Sequence, residues 1–541
     1  MKKAFINGKI YLEREQFCQA VLVEDDIIKA VDSNEKIKVL AGPDAEIIDL
    51  GGKTMIPGFN DSHMHLMMVG EYLARADVSG SKSLQEVIDR CRKFAEDNPE
   101  LTAGGILGNG WMEDIFTSGE KRHPDKREMN QVSDKVPVFV RRSDGHVAAA
   151  NDVLIAMVKA QPEYAELIEK GLVELDEHGE PTGFFKEAAT TLCEAQFPKP
   201  DAADYASYLS KAASHAASFG ITSVQSNDVC EPVGPYDICF EGVRKAFEED
   251  MCPIRYSLQT CFHSPEEFEE DLKTGQYSRG NGSNPLFKLG PLKLICDGSL
   301  GGRTALMLDE YCDKPGTYGV TSIDKETLNK YCGIAAKNNI STAIHCIGDG
   351  ATQMAIEAFE AADPTGTNPN RNAIVHCQVT SKEQTDRIVK DNIYVMAQPV
   401  FLNSDMCQME TRVSHEKCME SYAFGSMHRA GAHVSYGTDS PVEHCNPFAG
   451  LYCAVTRKDF SGWPENSWNA DECVDIYDAV DGYTIESAWA EFEENRKGRI
   501  KPGYLADFTV CDRDIFTCAP EELLEAKAVM TVVGGKVVYE K

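Results

Sequence analysis

The sequence has no long apolar run: no stretch approaches the length that crosses a bilayer. Asn7, Gly8, Lys9 and Glu13 interrupt the place where a leader's apolar core would fall, so a cytoplasmic chain is expected. Basic side chains are scarce beside acidic ones, 54 Lys and Arg against 86 Asp and Glu, for a formal charge of −32. Repulsion from phosphates then argues against a nucleic-acid partner or an anionic membrane. Cys-x-x-Cys is absent although there are 19 cysteines. Thiols scattered through apolar runs such as Ile295-Cys296 and His345-Cys346 read as reduced and buried. A glycine-rich phosphate turn after the first strand is also missing, which weakens the doubly wound nucleotide-binding sheet as a candidate fold.

What is present is ordinary globular composition, 42 % apolar and 26 % charged, over 541 residues. That length suits two or three units, or one large barrel with attachments. Residues 1–57 alternate short β segments with turn signals, including an expected two-residue hairpin at Asn7-Gly8. The last residues answer in kind, turning at Gly534-Gly535. Residues 1–57 and 498–541 are therefore expected to pair into a small composite β-sandwich domain.

Residues 58–497 change to amphipathic helices alternating with apolar strands, the pattern of a parallel sheet covered on both faces. Capping boxes open two of the helices, at Ser83 and Ser381. Strands are expected to end near His63-His65, Gln225, Leu258, Cys296, His345, His376, Gln398 and Asp439. That makes eight, the number that closes a (β/α)₈ TIM-like barrel. Residues 100–200 exceed the count and read as an insertion following a strand's C-terminal end, where it would serve as a substrate lid over the barrel mouth.

On a strand, alternate residues face the same way, so His63 and His65 look into one space and can share an ion. Lys293 lies within the fourth strand, His345 and His376 end the fifth and sixth, and Asp439 ends the eighth. Four imidazoles and a carboxylate on one barrel face are a metal-ligand set, because each buried imidazole needs a partner for both nitrogens. Nitrogen and oxygen donors accept zinc, iron or manganese; a divalent ion, zinc first, is expected at one or two per chain.

The stretches Pro57-Gly58-Phe59-Asn60-Asp61-Ser62-His63-Met64-His65, Asp144-Gly145-His146, Lys293 through Ala305, His345-Cys346-Ile347-Gly348-Asp349-Gly350-Ala351, His376-Cys377-Gln378, Gly437-Thr438-Asp439-Ser440-Pro441 and Lys501 through Asp507 resemble the amidohydrolase superfamily. Within it they resemble amidohydrolase family 3, the group with enzymes like N-substituted formamide deformylase. The resemblance implies that His63, His65 and Asp439 hold one ion, that His345 and His376 hold another, and that a carboxylated Lys293 bridges them. It admits a homodimer. The expected activity is hydrolysis of a C–N bond in a small amide, N-formyl or cyclic amide substrate, with Asp439 moving the proton.

Trp111, Glu113, Asp144, His146, Asp297 and Arg303 are expected to touch substrate or support the ligands. Each has a plainer role open to it, such as packing for Trp111, a mutually bonded turn for Asp144 and His146, or an ion pair for Arg303. Lys186-Glu187 is the rival source of a bridging group, and without carboxylation of Lys293 a single-ion site is the better description. A single-metal deaminase on the same barrel would place a glutamate shortly after His345, where Cys346-Ile347-Gly348-Asp349 stands instead. A catalytically inactive scaffold would have lost ligands, and the full set is present.

Overall fold

A computed structural model describes residues 1–541 apart from 231–232, 276, 278–280 and 283. It divides into two compact units, one of Met1–Met67 with Leu209–Lys541 and one of Met68–Tyr208.

The first unit is built on an eight-stranded parallel sheet: β1 Phe59–Met64, β2 Ile221–Val229, β3 Arg255–Thr260, β4 Phe287–Ile295, β5 Thr342–Cys346, β6 Ala373–His376, β7 Tyr394–Ala397 and β8 Val434–Tyr436. The strands neighbour one another in chain order, and every pairing is parallel. Every residue of β1, β2, β3, β6, β7 and β8 is buried, as strands covered on both faces must be. Helices such as Lys325–Lys337, Asp349–Ala362 and Lys382–Lys390 alternate with them. The last is opened by the capping box of Ser381 and Gln384. This is the TIM-type barrel. Its seam is closed just beyond the end of β8, where the Asp439 amide donates to His63 O and the His65 amide to Ser440 O, both at 2.8 Å. The Asp61 carboxylate, fully buried, accepts from the Thr438 amide and hydroxyl across the same seam.

The ends of the chain form two further sheets in this unit, one of four strands and one of six. In the second, Thr54–Pro57 pairs antiparallel with Phe508–Cys511. One apolar cluster takes Phe5, Val21 and Ile28 from the first sheet and Met55, Phe508 and Val532 from the second. The hairpin expected at Asn7-Gly8 does not form. Lys2–Ile6 pairs with Ala20–Glu24, whereas Lys9–Glu13 pairs with Thr54–Pro57 in the other sheet. Asn7, at φ 57°, turns the chain out of one sheet into the other.

The second unit has its own six-stranded sheet, including Ile106–Trp111 and Val138–Arg142. The segment read from the sequence as 100–200 falls inside it, and the unit begins earlier, at Met68.

Candidate metal centre

The C-terminal ends of β1, β4, β5, β6 and β8 carry the candidate ligands. His63 and His65 point their Nε2 atoms at one oxygen, Asp439 Oδ1, at 3.5 and 3.2 Å. One ligand atom from each of these three residues lies within 4.8 Å of the other two. His376 joins them, its ring centroid 5.6 Å from that of His63 and 4.4 Å from that of His345. Backbone strain gathers at the same place: His376, Cys377 and Asp439 have φ of 74°, 52° and 55°. Each such residue costs on the order of 1–3 kcal/mol and persists where the surroundings over-determine it.

Each imidazole is oriented through its other nitrogen. Gln259 Oε1 accepts from His63 Nδ1 at 3.0 Å. The Asn227 carbonyl accepts from His65 Nδ1 at 2.7 Å, and Gln398 Oε1 from His376 Nδ1 at 2.7 Å. The Gly298 carbonyl accepts from His345 Nε2 at 2.9 Å. The two glutamine amides are themselves fixed, since Gln398 Nε2 donates to Met396 O and Gln259 Nε2 to Ser62 O. Carbonyl oxygens only accept, so the proton of each neutral ring sits on the outer nitrogen and the lone pair faces inward.

Electrostatics favours the neutral ring at His345, His63 and His376. Burial, then the nearby Lys293 charge, holds His345 down to about 3. Burial likewise holds His63 and His376 well below the usual imidazole range. For His65, burial pulls downward, but the Asp439 carboxylate outweighs it and the net shift is up. Lys293 is 2 % exposed, and burial depresses its ammonium despite the opposing fields of Cys261 and Asp439. Among the described residues it has no salt bridge or side-chain hydrogen bond.

The other expected site residues have identifiable partners. Asp297 accepts from three backbone amides, Leu306, Ile347 and Gly348, and so ties the segment after β4 to the end of β5. Burial lifts its carboxyl to about 6. Arg303 forms a two-point ion pair with Asp313. In the second unit, Trp111 is fully buried in an apolar cluster and its indole donates to Val140 O at 3.1 Å. Glu113 and Asp144 both pair with Arg142. The exposed His146 ring meets Glu187 at 3.0 Å, and the His146 amide donates to the Asp144 carboxylate. Glu187, half of the rival bridging pair, is thereby engaged.

Sequence reasoning passed over Gln259 and gave no role to Gln398, an expected strand end, or to Asp61, which lies in the first matched stretch. A polar side chain inside a wholly buried strand was the available signal for Asp61 and Gln259. Asn227 acts on His65 through its backbone oxygen, which leaves no trace in residue type.

Fold and site together define a (β/α)₈ barrel of the amidohydrolase type. The chain belongs to the amidohydrolase family, whose profile matches residues 46–539. It is 30 % identical to YtcJ of Bacillus subtilis over 544 residues, covering all of both chains. It is 26 % identical to the N-substituted formamide deformylase of Arthrobacter pascens over 545 residues, 98 % of this chain and 96 % of that one. Among solved structures, an uncharacterized metal-dependent hydrolase from Pyrococcus horikoshii OT3 superposes with a TM-score of 0.75 at 28 % identity, covering 96 % of this chain and 99 % of the other.

Proposed function

We propose that this protein is a metal-dependent hydrolase of C–N bonds in small amides, with N-formyl amines and cyclic amides foremost. One observation carries the reading. The inward lone pairs of His345 Nδ1 and His376 Nε2 face each other at 2.9 Å, and the Nε2 atoms of His63 and His65 converge on Asp439 Oδ1, a buried oxygen that makes no hydrogen bond among the described residues. Electron pairs opposed at such distances repel unless a cation lies among them.

The residues fit a divalent ion at His63, His65 and Asp439, and a second at His345 and His376. Zinc suits the nitrogen-rich set. A cation there supplies Lewis acidity, bringing water's ionisation toward neutral pH and polarising a carbonyl. Lys293 supplies the bridge once carboxylated: burial favours its free amine, which adds carbon dioxide, forms an N–C bond and releases a proton to leave an anionic carbamate. Asp439 Oδ1 takes the proton of the attacking water and delivers it to the departing nitrogen. Asp61 and the seam hydrogen bonds fix Asp439's backbone. Gln259 and Gln398 hold their rings in the ligating tautomer. The deformylase relative supports N-formyl amines as first substrates.

The test is amine release from a panel of N-formyl amines, N-acyl amines and cyclic amides by zinc-loaded protein. Asp439→Asn should lower kcat by about 10²–10⁴-fold. Undiminished turnover with a full metal load would take Asp439 out of the chemistry. For the bridge, ¹³C-bicarbonate should give a carbamate carbon resonance that Lys293→Arg lacks.

A further inference from the structure

β2 and β3 run parallel with Val229 opposite Thr260. The next residue on each, Cys230 and Cys261, therefore stand side by side at the rim, and the Cys261 amide donates to Val229 O at 3.2 Å. Adjacent strands lie about 4.8 Å apart. That is within the separation, roughly 4.4–6.8 Å between Cα atoms, that a disulfide spans. Both cysteines lean on Asn227: Cys230 Sγ reaches its carbonyl at 3.9 Å and Cys261 Sγ its side-chain oxygen at 3.6 Å.

The pair is also reachable. Both cysteines line a cavity of about 190 Å³, and Cys261 is partly exposed. Cys296 and Cys346 stand side by side in the same way at the ends of β4 and β5, but each is fully buried. Proximity is shared by the two pairs; access by a small solute distinguishes the first.

We propose that Cys230 and Cys261 form a reversible redox site whose oxidant is a peroxide. One sulfur attacks the peroxide oxygen, the O–O bond breaks, and a sulfenic acid forms as the first water leaves. The second sulfur displaces the sulfenic hydroxyl as a second water, closing the S–S bond. Two thiol hydrogens and two electrons thus reduce one peroxide. Asn227 carries the consequence inward, because the carbonyl that meets Cys230 is the one that orients His65. Drawing the sulfurs into covalent distance shifts that acceptor and loosens the ion held by His65. This last step rests on the metal reading above; the disulfide does not.

The experiment treats the folded full-length protein with hydrogen peroxide, alkylates the remaining thiols and maps peptides without reduction. A Cys230–Cys261 linked peptide, reversed by dithiothreitol and absent from Cys230→Ser and Cys261→Ser, is expected. Both thiols alkylated after treatment, or a linked peptide joining Cys296 and Cys346 instead, would overturn the site. The wild-type map needs no variant, so a variant that misfolds leaves the result intact. Zinc affinity of the oxidised protein, read by chelator competition, should fall by about tenfold. Unchanged affinity would sever the link to His65, whereas a reduced protein that binds no zinc at all would instead refute the metal reading.

Discussion

At the scale of single residues, the candidate ligand atoms are aimed by side-chain amides at the ends of other strands. Gln259 fixes which nitrogen of His63 carries the proton, and Gln398 does the same for His376. Replacing Gln259 by leucine, close in size but without the acceptor, should lower zinc affinity by about 10–100-fold with the circular dichroism spectrum unchanged. Titration with a competing chelator measures it. The histidines and Asp439 were legible in the sequence because strand ends can be located from apolar runs, and a charged or imidazole group at such an end is conspicuous. Their orienting partners were not: an amide oxygen or a backbone carbonyl becomes relevant only when neighbouring strands fix a register.

Among elements, the strand Phe508–Cys511 is tied to the barrel by a buried pair just ahead of it. Arg255, opening β3, binds Asp507 through Nε and Nη2 at 2.7 and 3.0 Å, and the Gly534 amide donates to the same carboxylate at 2.8 Å. Removing one partner strands the other charge in the interior, so Asp507→Ala should cost about 3–5 kcal/mol in a urea titration. Burial by itself would raise the Asp507 carboxyl, but the Arg255 charge and hydrogen bonds outweigh it and the net shift is down. A depressed acid stabilises the fold above its unfolded pKa, near 3.9, and that contribution disappears as pH falls through the lower folded value. The wild-type advantage over Asp507→Ala should therefore shrink below about pH 4. The Asn7-Gly8 turn shows the limit of local reading. The dipeptide marks a turn, Asn7 having φ 57°, but not the expected hairpin, because the strand after it pairs with Thr54–Pro57, more than forty residues on.

For the molecule as a whole, the formal charge of −32 and an ion held by the barrel's candidate ligands would act in opposite senses. Self-repulsion should make the melting temperature rise by a few degrees between low and physiological salt, where the screening length shortens to about 8 Å. Stripping ions with a chelator should lower it, since an ion at about a hundred times its dissociation constant contributes about 2.7 kcal/mol. The expected ligands come from β1, β4, β5, β6 and the end of β8, so the loss should appear as destabilisation of the barrel in hydrogen exchange, not as local fraying. The eight-strand count was legible because each strand is an apolar run after a helix. The bounds of the second unit were not, because a compact unit is defined by which helices pack together and not by where the strand count overflows.

The pairing of Thr54–Pro57 with Phe508–Cys511 sets an order on biosynthesis. Pro57 is separated from β1 by Gly58 alone, and the Gly58 amide donates to Asp507 O at 2.9 Å. During translation, the segment leading into the first barrel strand emerges and waits, that edge open, until Phe508–Cys511 follows. A premature stop ahead of Phe508 would deprive the first strand's approach of its neighbour, and such nascent chains would present an unpaired sheet edge to chaperones.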